Sequence, residues 1–111
     1  MTFSKKHNFE PQSQSLADFA RLMSHPARIE ILNYLSLQCN CISGDISNEI
    51  PLNRTTVSQH LKELKDAGYI KGTVDGKNIY YCLDNEKLTP LLADLKEFIS
   101  MLEKGNFSHC K

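Results

Sequence analysis

The sequence predicts a mainly α-helical domain of about five helices carrying one small two-stranded β-hairpin, and three observations lead there. Apolar residues recur every three or four positions from Leu16 to Leu64 and again from Leu88 to Leu102, the period of helices that bury one face. Between Tyr69 and Leu83 the period falls to two, as in strands. Pro26, Pro51, Gly68 and Gly76 stand at the seams between these runs, where helices and strands start and stop.

Residues 1–12 are polar and aperiodic and read as a flexible arm. Ser13 or Ser15 is placed to cap a first helix whose stripe is Leu16, Phe19, Ala20 and Met23. Ser24-His25-Pro26 restarts the chain, because proline suits a first helical position and clashes inside a helix. Ile29, Ile31, Leu32 and Leu35 then build a second helix ending near Ser36, and residues 37–43 connect onward. Ser43-Gly44-Asp45 opens a brief helix with Ile46 and Ile50 inward, which Pro51 stops. Asn53 caps the next helix, where Val57, Leu61 and Leu64 bury one face and Gly68 supplies the left-handed end. Asp75-Gly76 between the strand-like runs predicts a type I′ hairpin turn. After Asp84-Asn85 one long stripe runs through Leu88, Leu91, Leu92, Leu95, Phe98, Ile99 and Leu102 to Gly105. That stripe exceeds what so small a domain covers, so part of it reads as a pairing surface.

Composition narrows the function classes. The 111 residues suit one domain, and 13 basic side chains balance 13 acidic ones, which excludes a uniformly basic nucleic-acid coat. Any contact with a polyanion must be local. No signal-peptide pattern opens the sequence and no apolar run is long enough for a membrane span, so a cytoplasmic protein without membrane contact is expected. No GxGxxG, P-loop, HExxH or GxSxG occurs, and an enzyme is not expected.

Two short helices around a tight Pro51-Leu52-Asn53 corner, the second with a polar and basic outer face, match a helix-turn-helix. His25-Pro26-Ala27-Arg28 before Ile29, the run from Thr56 to Leu64, Ala67-Gly68-Tyr69-Ile70 and Ile79-Tyr80-Tyr81-Cys82-Leu83 together resemble the ArsR-type (ArsR/SmtB-like) winged helix-turn-helix repressors. The resemblance spans residues 16–102. It implies a winged-helix DNA-binding and dimerisation domain, here over 13–104, with a flexible tail over 105–111. It further implies a homodimer built through the terminal helices, with Leu16, Phe19, Leu91, Leu95, Phe98 and Leu102 at the interface. Such a dimer binds a partly palindromic double-stranded operator and represses transcription until an effector loosens it.

Short donors and acceptors near the start of a recognition helix reach base edges, while its dipole and free amides favour phosphates. Thr55, Thr56, Ser58 and Gln59 suit base or phosphate contacts, and Arg54, Lys62 and Lys65 suit phosphate neutralisation. Lys71 and Lys77 extend the footprint along the hairpin. Residues 54–77 hold five basic and three acidic side chains, a local excess of two. The same charges also fit an ordinary solvated face. His60 lies beside the Val57/Leu61 stripe, and both a structural histidine and a phosphate contact remain open.

The four cysteines are read as thiols. Cys39-x-Cys41 offers two soft ligands to As(III), Cd(II), Pb(II) or Zn(II), with Cys110 as a third ligand across a dimer or as a redox partner. Cys82 is expected to be a buried small apolar residue. In metal-sensing relatives a Cys-x-Cys stands directly before the acidic residue that opens the short helix, here Asp45, so the pair at 39 and 41 sits upstream of that register. No histidine occurs between His60 and His109, which leaves the family's histidine-carboxylate site without ligands. The competing function is a winged-helix module for protein partners without effector sensing.

Overall fold

The computed structural model describes residues 8–38, 40–42 and 46–108. Helix α1 runs Pro11–Leu22 and α2 runs Pro26–Ser36. The first helix starts earlier than a serine cap would place it, because Pro11 occupies its first turn and the Glu10 carbonyl accepts from Gln14 N at 3.0 Å. Pro26 plays the same part in α2, as its position predicts.

The brief helix expected after Asp45 is shorter still, a single 3-10 turn over Ile46–Asn48 that sinks Ile46 and Ile50 into the core. Its opening residues 43–45 lie outside the described set. Helix α3, Arg54–Asp66, begins with the Asn53 side-chain oxygen accepting from Thr56 N at 2.8 Å. It ends on Gly68 at φ +87°, where Gly68 N donates to the Lys65 carbonyl and Tyr69 N to that of Leu64. These two bonds satisfy carbonyls that the helix end would leave unpaired.

Strands β1, Ile70–Asp75, and β2, Asn78–Leu83, pair antiparallel from Ile70↔Leu83 to Asp75↔Asn78. The hairpin turn is therefore Gly76-Lys77 rather than Asp75-Gly76. Only Gly76 has positive φ, +65°, so the turn needs one left-handed residue where a type I′ turn needs two. Ile42 adds a third short rung outside β2, exchanging both backbone hydrogen bonds with Tyr81 at 2.9 and 2.8 Å.

Helix α4 spans Asn85–Ser108 and runs through Gly105, which does not take the left-handed conformation of a helix stop. Pro90 falls in its second turn, and the adjacent Thr89 hydroxyl donates to the Asn85 carbonyl at 2.7 Å. Among the described residues no helix is long and apolar enough to cross a membrane.

The core gathers Leu22, Ile31, Leu35, Ile46, Ile50, Val57, Leu61, Leu64, Tyr69, Ile70, Leu88 and Leu91, and β2 adds only the half-buried Tyr81 and Leu83 packed against it. Phe19 of α1 meets Tyr69 edge-on with ring centroids 5.5 Å apart, which ties the helical layer to the root of the hairpin. Ile31 and Leu64 are fully enclosed, so truncation leaves a cavity. Leu64→Ala should lower unfolding stability by about 2 to 5 kcal/mol, and Asn53→Ala by about 1 kcal/mol through loss of the cap. Urea titration checks both, and a Leu64→Ala midpoint equal to wild type would contradict this core.

Candidate nucleic-acid interface

Because Val57, Leu61 and Leu64 face inward, α3 must turn Arg54, Thr55, Ser58, Gln59, Lys62 and Lys65 to solvent, and all six are exposed. Thr56 is half-buried and its amide is occupied by the Asn53 cap. Arg54, Ser58, Lys77 and Asn78 line one groove of about 360 Å³, floored by Ile46, Val57, Leu61, Ile79 and Tyr81. The first turns of α3 and the tip of the hairpin thus converge on one concave face. Asn78 belongs to this group although nothing in the sequence singles it out, since a strand-end asparagine carries no distinctive pattern. Lys65 folds toward the hairpin, with its Cδ 3.3 Å from where a β-carbon on Gly72 would stand. Lys71 is exposed on β1.

The charges are already partly engaged. Lys62 Nζ lies 2.9 Å from Asp66 one turn on, an exposed pair whose hydrogen bond raises the lysine pKa. Gln59 Nε2 donates to Glu63 at 3.4 Å. Gln59 and Lys62 are thus each tied to a carboxylate one turn further along α3.

His60 turns away from that face. Arg28, buried at the start of α2, donates from Nε to His60 Nδ1 at 3.0 Å and from NH1 to the Leu22 carbonyl at 3.3 Å. One arginine thereby joins the end of α1, α2 and the back of α3. The His25 ring lies 5.4 Å from that of His60, centroid to centroid. Of the two roles left open for His60, the observed contacts are those of a structural histidine. Because Nδ1 accepts, the neutral ring carries its proton on Nε2. Burial, then the Arg28 and His25 charges, push its pKa below the usual imidazole value against a weaker opposing pull from Glu63.

The cysteines depart from the expected thiols. Cys41 and Cys82 form a disulfide, with Cα atoms 4.5 Å apart. The Ile42–Tyr81 rung is the cause: where two residues exchange both backbone bonds, the next pair along an antiparallel ladder is a close, non-hydrogen-bonded one, and here that pair is Cys41 and Cys82. Cys82 is accordingly half-buried and bonded, not a packed apolar residue. Cys39 and Cys110, the other two suggested metal ligands, lie outside the described residues. Among the described residues no group of three or more His, Cys, Asp or Glu is placed to hold a metal.

Helices α1 and α4 pack together, with Gln12 Nε2 donating to Glu97 at 3.2 Å. Of the interface residues expected there, Leu91 is instead core at 8% exposure, and Leu16, Phe19 and Leu95 are half-buried. Phe98 and Leu102 remain open with Leu92, Ile99 and Met101.

Residues 25–71, from the start of α2 into β1, match the family described as bacterial regulatory protein, arsR family. The HTH-type transcriptional regulator YgaV of Escherichia coli K12 is 31% identical over 87 residues, 78% of this chain and 88% of that protein. The cadmium resistance transcriptional regulatory protein CadC homolog of Staphylococcus aureus is 32% identical over 89 residues, covering 80% of this chain and 74% of its own. Among solved structures, the homodimeric winged helix-turn-helix domain of Mb0332 from Mycobacterium bovis superposes with TM-score 0.59 at 21% identity, over 99% of this chain and 97% of that one, and supports the fold.

The Arg28–His60 contact carries a pH dependence. With the folded pKa lowered, the unfolded chain takes up the proton first on acidification. Stability supported by His60 is therefore complete above the unfolded value, about 6.5, and declines as pH falls from there toward the lower folded value. Urea unfolding at pH 7.5 and 5.5 should show that decline, and His60→Gln, which keeps an acceptor for Arg28, should reduce it. An identical decline in the variant would place the titration elsewhere.

Proposed function

The chain belongs to the arsR family of bacterial transcriptional regulators, and on that premise we propose that it acts as a homodimeric repressor whose α3 enters the major groove of a partly palindromic operator. One observation carries the reading: the capped start of α3 and the hairpin tip share a single groove lined by Arg54, Ser58, Lys77 and Asn78. Thr55, Ser58 and Gln59 read base edges from the exposed side of α3. Arg54, Lys65, Lys71 and Lys77 neutralise phosphates along the helix start and the wing. Thr56 contributes through its capped amide, and His60 by fixing the helix against Arg28. Lys62 joins the phosphate contacts by exchanging Asp66 for the backbone.

The open apolar row on α4, with Phe98 at 46% and Leu102 at 58% exposure, supports pairing of two copies beside the α1–α4 contact. The homodimeric Mycobacterium bovis neighbour is consistent with that arrangement. A soft-metal effector on Cys39, Cys41 and Cys110 requires that Cys41 first be released from Cys82. Thiol redox state, rather than metal alone, is then the gate of any such response.

Selection of operators from random duplex DNA tests the function directly. Replacing Ser58 and Gln59 with alanine should reduce discrimination between selected and random duplexes by about 1 to 3 kcal/mol for each good base-edge hydrogen-bonding pair removed. Equal discrimination in that double variant would reject this placement of α3. Lys77→Gln should weaken binding to both duplexes alike and, with one lysine lost from each protomer, lower the slope of log affinity against log salt by about two. A salt-independent interaction would favour a protein partner instead. Phe98→Asp with Leu102→Asp should convert a sedimenting dimer to monomer, and an unchanged profile would remove α4 from the interface.

A further inference from the structure

We propose that Cys41 and Cys82 are a redox-reversible clasp, a dithiol that exchanges with low-molecular-weight disulfides and, once oxidised, locks the segment entering the helix-turn-helix onto the wing. Its effect on DNA rests on the function proposed above, whereas its thiol chemistry does not.

Four observations support the clasp. The Ile42–Tyr81 rung is made of backbone atoms only, so it sets Cys41 opposite Cys82 whether or not the sulfurs are bonded. Two thiols held in that register react with each other as neighbours rather than as dilute partners. Cys41 is exposed and within reach of a small reagent, while Cys82 is half-buried behind it. Lys71 is the cross-strand partner of Cys82, so Lys71, Cys82 and Cys41 form one row across three adjacent segments. A cationic neighbour favours the thiolate that performs exchange. The ring closed by the disulfide, with a sequence separation of 41, contains the 3-10 turn, all of α3 and the hairpin turn, the parts proposed to meet DNA.

The exchange balances without further reagents. The Cys41 thiolate attacks a disulfide RSSR, forming a mixed disulfide at Cys41 and expelling one RS⁻. The Cys82 thiolate then attacks the Cys41 sulfur, closing Cys41–Cys82 and expelling the second RS⁻. The two protons of the protein thiols end on the two RS⁻ groups, and two electrons pass from the protein to the reagent. Excess RSH reverses both steps.

Closure bears on the groove because Tyr81, next to Cys82, is part of its lining together with Arg54 and Lys77. In the closed form β2 is held on both of its sides, by β1 and by the clasped segment. In the open form the outer side depends on the two bonds of the Ile42–Tyr81 rung. The duplex must then restrict a freer wing, and the ordering cost weakens association.

The test equilibrates the full chain in glutathione buffers from fully reduced to strongly oxidised, alkylates free thiols, and maps linked peptides by mass spectrometry. The Cys41–Cys82 peptide should appear and vanish reversibly. Thiols at 41 and 82 that stay free in the most oxidising buffer, a link that survives the most reducing one, or pairing of Cys41 with Cys39 or Cys110 instead would each overturn the clasp. Binding to a selected operator should be three- to tenfold tighter in the oxidised form. That difference should vanish in Cys41→Ser and in Cys82→Ser separately and persist in Cys39→Ser with Cys110→Ser. Equal or reversed affinities in the wild type would overturn the coupling. If neither form binds any duplex, the proposed DNA function fails while the peptide mapping still decides the clasp.

Discussion

The rotation of α3 about its own axis is the constraint on which the rest of the molecule turns. Val57, Leu61 and Leu64 must face the core, and three inward positions spaced by four and three leave no freedom over which side chains face out. The Asn53 cap and the Gly68 stop fix where the helix begins and ends. Arg28 then holds it from behind through His60. Polar residues chosen for contact with a partner can therefore sit on the outer face at little cost to the fold, because none of them is needed inside.

The same constraint explains why a chain of zero formal net charge can serve a polyanion. Electrostatic attraction falls off over about 8 to 10 Å at ordinary ionic strength, so the arrangement of charge near the groove matters more than the total. Arg54 and Lys77 come from the start of α3 and the turn of the hairpin that follows it and line one groove. Lys62 and Gln59 are held by Asp66 and Glu63 in the absence of a duplex. Exposed pairs of this kind contribute little to stability. They are accordingly easy to exchange for phosphate and costly for neither state.

Much of this is legible in the sequence, and the exceptions have physical reasons. The caps and stops of α2 and α3 can be placed because Pro26, Asn53 and Gly68 each do something few other residues can. The first helix and the hairpin turn are harder. Pro11 outweighs the serines behind it as a start signal, and Asp75-Gly76-Lys77 admits two turn registers that differ by one residue. Gly105 has the look of a stop, yet glycine permits a left-handed end without requiring one. The Cys41–Cys82 bond is the least legible feature, since it depends on a single rung formed by Ile42 in a connection that otherwise lacks a strand pattern. The one signal in the sequence is an apolar residue beside each cysteine, Ile42 and Tyr81, mirrored across the pair.

A single copy of this domain offers a duplex one short helix and one hairpin tip, and part of that surface must first shed intrahelical partners. Most of the association entropy is spent on the first contact, so a second identical module fixed to the first engages at a high effective concentration and multiplies affinity without new chemistry. Two-fold pairing also converts a short reading helix into a recognition unit long enough to be selective, provided the two helices sit about 34 Å apart, one turn of the duplex. That spacing is a property of the joint, not of α3. The 24 residues of α4, with the open row of Phe98, Ile99 and Leu102 in its outer half, are where the chain has the length and the uncovered apolar surface to set it. In the proposed repressor, selectivity for an operator thus depends as much on packing at that end of the molecule as on the side chains of Thr55, Ser58 and Gln59, proposed to read bases, at the other.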